Sequence, residues 1–184
     1  MRLILASQSP RRRELLSNTG LPFEVIPSNF EEIEAGLSPQ ETVLRFAEGK
    51  AQEVYQRCPD AAVIGADTVV ALDGEIFGKP HTEEIAKAML RRLSARTHSV
   101  FTGVCLMASG VKRMGICETK VTFRALSEEF IERYVREVHP LDKAGAYGIQ
   151  DGYHIVESYE GSYTNVVGLP MELLEEYLKE AKIC

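Results

Sequence analysis

The chain has 184 residues, a formal net charge of −6, 45% hydrophobic and 26% charged residues, which fits one domain with a real core, here expected to span residues 1–184. The acidic balance argues against a broad nucleic-acid-binding surface and against a stable nucleic-acid partner. No apolar run approaches the roughly 20 residues of a membrane span, and the apolar start, Leu3-Ile4-Leu5-Ala6, is too short for a signal peptide, so the expectation is a cytoplasmic protein away from membranes.

Residues 3–6 read as a short buried strand. Ser9-Pro10 then opens a helix, with Ser suited to the cap and Pro to the first helical position. Leu15 and Leu16 supply its apolar face and Gly20 is a natural terminator. Residues 23–26 read as a second strand, followed by the acidic stretch Glu31-Glu32-Ile33-Glu34. Ser38-Pro39-Gln40-Glu41 is a capping box that starts a helix running to about Tyr55. Residues 62–64 form a buried strand leading into Gly65-Ala66-Asp67-Thr68, and residues 69–72 and 75–77 flank the hairpin signal Asp73-Gly74.

Thr82 starts a helix that ends near Ser94. Two long strands, 100–107 and 111–123, turn about Ser109-Gly110, and Ser127 caps a helix that stops before Pro140. A glycine-rich segment, a strand at 155–158 and a C-terminal helix opened by Pro170 complete the chain. Interleaved strands and helices with hairpins predict an α/β fold with a mixed sheet. Cys58, Cys105, Cys117 and Cys184 are widely spaced and read as reduced thiols. His81, His98, His139 and His154 lack metal-ligand spacing and read as surface or turn residues.

Several segments could carry chemistry. In Ser7-Gln8-Ser9-Pro10-Arg11-Arg12 a strand feeds a helix N-terminus, whose free N–H groups favour an anion. The hydroxyls of Ser7 and Ser9 and the forks of Arg11 and Arg12 suit phosphate oxygens; a capped helix with exposed arginines fits equally. Asp67, read as the end of a buried strand, suits a metal or a water, or else a simple turn. Lys50 falls on the stripe Val43, Ala47, Lys50, Val54 and needs an anionic partner there unless it snorkels to solvent. Lys79, held in Gly78-Lys79-Pro80, is placed to reach a phosphate or simply to be solvated. Of Glu31 and Glu32, extended backbone lets only one face a site. Gln150, ending a glycine-rich run, offers both a donor and an acceptor to a base edge, and Gly161-Ser162-Tyr163-Thr164-Asn165 follows it.

Taken together, Ser7-Gln8-Ser9-Pro10-Arg11-Arg12, Gly65-Ala66-Asp67-Thr68-Val69-Val70, Gly78-Lys79-Pro80, Asp142-Lys143-Ala144-Gly145-Ala146-Tyr147-Gly148-Ile149-Gln150 and Gly161-Ser162-Tyr163-Thr164-Asn165-Val166-Val167-Gly168-Leu169-Pro170 resemble the Maf family of nucleotide pyrophosphatases. The resemblance implies a fold similar to the inosine-triphosphate pyrophosphatases: a long mixed sheet with flanking helices and two lobes around a cleft. It implies metal-assisted attack of water on the α-phosphate, with Mg²⁺ or Mn²⁺ as cofactor, a nucleoside triphosphate as substrate and a homodimer. Under it, Asp67 is the proton acceptor, Glu32, Lys50 and Lys79 match positions tied to catalysis and phosphate binding, and Ser7, Arg11 and Arg12 match the triphosphate-binding start; on charge grounds Asp67 with Glu32 would hold the metal, and the Ser9 hydroxyl joins the phosphate site. Arg11, Thr68 and Gln150 match the branch that prefers dTTP and UTP, rather than the branch acting on 7-methyl-GTP. The rival expectation is a nucleotide-binding regulator of cell division with little turnover.

Overall fold

The computed structural model describes residues 1–33 and 36–183; Glu34 of the acidic stretch and Cys184 lie outside them. Strand β1 (Arg2–Leu5) runs to helix α1 (Pro10–Ser17). The Ser9 hydroxyl accepts from the Arg12 amide and Pro10 occupies the first turn, as the local sequence requires. The helix stops at Ser17, with Gly20 completing the turn at φ 74°. Only Glu24–Val25 forms strand β2. Helix α2 (Pro39–Arg57) begins with both bonds of the Ser38–Glu41 capping box.

Strand β3 (Ala61–Leu72) turns through Asp73 and Gly74, both at positive φ, into β4 (Glu75–Phe77). Helix α3 (Glu83–Leu93), strands β5 (Thr97–Ala108) and β6 (Val111–Phe123), and helix α4 (Glu128–Val138) follow. Two 3₁₀ turns lead to β7 (Val156–Glu160), a short helix α5 (Tyr163–Val167) and helix α6 (Met171–Glu180). The strands make one seven-stranded sheet in the order β2-β1-β3-β5-β6-β7, with β4 also on β3. Pairing is parallel from β2 to β3 and antiparallel elsewhere, the mixed sheet expected.

Alternation along β3 assigns the layers. Ala61 and Val63 pack on Ala47, Ala51 and Val54 of α2. Ala62, Ile64 and Ala66 point to the opposite face, against Leu16 of α1 and Leu174 and Leu178 of α6. Further along that second face, Val70 and Leu72 join Leu90, Leu93, Ile131 and Tyr134 of α3 and α4. Each fully buried Leu or Ile in these clusters contributes roughly 1.5–3 kcal/mol. On the first face α2 lies directly on the strands. A Cβ at Gly65 would stand 2.2 Å from the Ala47 carbonyl oxygen, and one at Gly103 would stand 2.3 Å from that of Val43.

Three readings of the sequence need correction. Residues 61–72 are one uninterrupted strand, not two pieces joined by a turn, because β5 pairs with it continuously from Val63 to Ala71. Asp67 therefore sits mid-strand. His98 is a core residue of β5, 2% exposed, not a surface or turn residue: its ring packs edge-on against Phe123 and Tyr147, and its Nε2 shares a 2.7 Å hydrogen bond with the Tyr147 hydroxyl.

Candidate active site

The site follows from a split in the sheet. On the edge of β3 away from β5, β1 pairs only with Ala61–Ile64 and β4 only with Val70–Leu72. Residues 65–69 keep that edge open between them. β1 ends by sending Ala6 and Ser7 into the split, where the Ala6 amide still bonds the Ile64 carbonyl at 2.8 Å. β4 ends at Phe77 opposite Val70 and sends Gly78 and Lys79 in from the other side. Asp67 lies between the two arrivals, on the face covered by α2. Motifs far apart in the chain thus meet at one break in the ladder.

A cleft of about 710 Å³ occupies this break, and its walls include Ser7, Ser9, Arg11, Arg12, Glu32, Lys50, Asp67, Thr68, Lys79 and Gln150. Glu31 is not among the lining residues, consistent with the opposed directions of the acidic pair. The Lys50 ammonium, on the buried stripe of α2, lies 2.6 Å from Glu32 Oε1 and 2.7 Å from Asp67 Oδ1. Lys50 therefore does not snorkel; it bridges two carboxylates. Burial raises the Asp67 carboxyl above its ordinary pKa, against the opposing pull of Lys50 and Arg12.

Arg12 is a cross-link. Its Nε donates to the Gly168 carbonyl at 2.7 Å, Nη1 to Ser7 Oγ at 3.2 Å and Nη2 to Thr68 Oγ1 at 3.0 Å. Three of five N–H groups are engaged, which leaves two for a ligand. Burial lowers its pKa while Asp67 opposes that shift, and a guanidinium stays charged regardless. Thr68 in turn bonds Thr102 at 2.9 Å, and Thr102 donates to the Asn165 carbonyl at 3.2 Å. Asn165 is fully buried and donates to Val100 O and Thr119 Oγ1. The Gly161-to-Asn165 segment therefore anchors α5 to the sheet, and the α5 end presents Gly168 to Arg12.

Arg11 pairs with Asp142 at 3.0 Å across the cleft. Lys79 is exposed and has no ion-pair or hydrogen-bond partner among the described residues. Sequence reasoning gave no individual role to Asp142, Lys143, Tyr147, Phe30 or Phe46, which also line the cleft. Phe30 and Phe46, 6.1 Å apart and tilted, form an apolar wall that carries no local sequence signal, because it depends on the segment before α2 folding back over the helix.

Asp67 Oδ1 and Glu32 Oε1 face Lys50, whereas the second oxygen of each carboxylate has no partner among the described residues. No group of three or more His, Cys, Asp or Glu that could hold a metal exists among them. Two carboxylates completed by phosphate oxygens and water are an ordinary Mg²⁺ set, so these residues fit a cation that arrives with a polyphosphate. No described helix is long and apolar enough to cross a membrane.

The family model described as Maf-like protein matches residues 2–181. The dTTP/UTP pyrophosphatase of Bacillus velezensis is 50% identical over 184 residues, 99% of this chain and 97% of the relative. That of Thermotoga maritima is 48% identical over 183 residues, 98% of this chain and 89% of the relative. Among solved structures, the Staphylococcus aureus Ham1 protein superposes with a TM-score of 0.54 at 12% identity, covering 98% of this chain and 100% of that one, a likeness of fold alone.

Proposed function

Because the chain belongs to the Maf family, we propose that it hydrolyses dTTP and UTP to the monophosphate and pyrophosphate. The relatives at about half identity, all named dTTP/UTP pyrophosphatase, support the substrate. The observation that carries the chemistry is that Arg11, Arg12 and Lys79 share one cleft with the Glu32–Lys50–Asp67 bridge.

A triphosphate carries several negative charges that repel the hydroxide an attacking water becomes as it loses its proton. Ser7, Ser9, the two free N–H groups of Arg12, Arg11 and the unpaired Lys79 bind and orient its phosphates, and in a half-enclosed cleft their charges count for more than in bulk water. Asp67, held above its ordinary pKa by burial, accepts the proton of the attacking water. Lys50 keeps Asp67 and Glu32 fixed until substrate enters. Asp67 and Glu32 would hold a Mg²⁺ or Mn²⁺ ion arriving with the substrate, which would supply Lewis-acid neutralisation of the phosphate charge. Thr68 fixes the Arg12 fork, and Gln150 meets the base edge. The same proposal includes a single domain over residues 1–184, a homodimer and a cytoplasmic location.

Release of pyrophosphate from dTTP with Mg²⁺ tests the reading. Asp67→Asn is expected to lose at least about a hundredfold in kcat with an unchanged circular dichroism spectrum. Full activity in that variant removes Asp67 from the mechanism.

A further inference from the structure

Gln150 lies at the third position of a four-residue turn, closed by the Asp151 amide donating to the Gly148 carbonyl at 3.2 Å. The residue is exposed at the cleft wall, and its side chain has no hydrogen-bond partner among the described residues. What holds the turn is the residue after it. The Asp151 carboxylate accepts from Lys143 Nζ at 2.8 Å on each oxygen and from the Tyr134 hydroxyl at 2.7 Å. Tyr134 also accepts from the Gly148 amide at 3.1 Å. The Lys143 and Asp151 side chains are each only 13% exposed, and Tyr134 is fully buried in the α3–α4 core. Gly148 leaves the space in which this carboxylate sits: a Cβ there would stand 2.7 Å from both its oxygens. The turn is thereby tied at both of its ends, Gly148 and Asp151, to Tyr134 of α4.

We infer that Asp151 is a positioning residue for base recognition: with Tyr134 and Lys143 it locks the Gly148–Asp151 turn so that Gln150 meets the pyrimidine edge in one fixed pose. A side chain that reads donors and acceptors discriminates only if its position is set before the substrate arrives, since a mobile amide can follow any base. The buried ion pair has this registering use, rather than stability, as its best rationale. The inference rests on the proposed reading of Gln150 and adds the machinery behind it.

The test measures kcat and KM for dTTP, UTP and dGTP in the wild type, Asp151→Ala, Tyr134→Phe, Gln150→Ala and the double variants that add Gln150→Ala. Tyr134→Phe deletes only the bridging hydroxyl and keeps the ring packing, so it reads the lock even where Asp151→Ala folds poorly. Each single variant is expected to raise KM for dTTP and UTP about tenfold with kcat nearly unchanged, while dGTP parameters stay within about twofold. In the Gln150→Ala background neither lock variant should add a further loss. An equal loss on all three substrates, or a full additional loss without Gln150, overturns the lock while leaving the Gln150 reading intact. No change of selectivity in Gln150→Ala overturns both the reading of Gln150 and the lock built on it. Failure of the wild type to hydrolyse dTTP or UTP overturns the function itself.

Discussion

Gly65→Ala tests the link between packing and chemistry. The added methyl would stand 2.2 Å from the Ala47 carbonyl, 2.7 Å from the Ala51 amide and 2.9 Å from the Ala51 Cβ. Two of these are backbone atoms of α2, so no side chain can rotate away. Restoring an ordinary contact of about 3.4 Å moves the helix about 1.2 Å off the sheet. Overpacking of this kind costs roughly 1–3 kcal/mol, and for a chain of this size each kcal/mol lowers Tm by about 2–4 °C. The activity should suffer more than the stability. Lys50 rides on the same helix, three residues beyond Ala47, and sits 2.7 Å from Asp67. Displacement by about 1 Å can cost about a hundredfold in rate. Urea unfolding followed by circular dichroism, beside dTTP hydrolysis, measures both. A variant within about 0.5 kcal/mol of wild type and fully active would refute the close seating of α2 as the device that sets the carboxylate bridge.

Lys50→Met leaves the Asp67 carboxylate, only 8% exposed, without its counter-ion and should destabilise by about 3 kcal/mol; adding Asp67→Asn should recover most of that loss in urea titrations, and a single variant as stable as wild type contradicts the account. Asn165→Ala removes the side-chain amide that donates to the Val100 carbonyl and the Thr119 hydroxyl, about 0.5–1.5 kcal/mol per lost bond, and loosens Gly168 beneath Arg12, so KM for dTTP should rise; an unchanged KM disconnects α5 from the phosphate site. Burial lowers the His98 pKa from 6.5 to about 4, so the imidazole is neutral in the native core while the unfolded chain takes up a proton. Its contribution is whole above pH 6.5 and disappears as pH falls toward 4, a loss of ~3 kcal/mol. Unfolding midpoints of wild type and His98→Gln between pH 7 and pH 4.5 should therefore converge; parallel curves exclude His98 as the source.

Local physics was legible where neighbouring residues settle the matter among themselves. Ser9 before Pro10, the Ser38–Glu41 box, the Asp73-Gly74 turn and the Ser127 cap each satisfy backbone groups within three or four residues, so composition alone places them. The charged residue on the α2 stripe was readable as far as a choice: an ammonium among Val43, Ala47 and Val54 either snorkels or meets an anion, and the structure supplies two carboxylates. Helix α5 was not legible: five residues, two of them valines, hold a helix only because Asn165 and Ser162 bond to β5 and β6.

The sequence by itself determined the residue types, the element boundaries fixed by caps and turns, and, through five motifs in order, the family. Gly65-Ala66-Asp67-Thr68 looked like a turn because Gly and Asp are disfavoured in strands, but pairing with β5 on one edge and the seating of α2 above overrode that preference. Only the tertiary structure decided that β1 and β4 share one edge of β3 without meeting, and so where the cleft lies. Which carboxylate faces which cation across more than a hundred residues is set by strand register and helix seating, and those are properties of the assembled sheet that no local window of the chain contains.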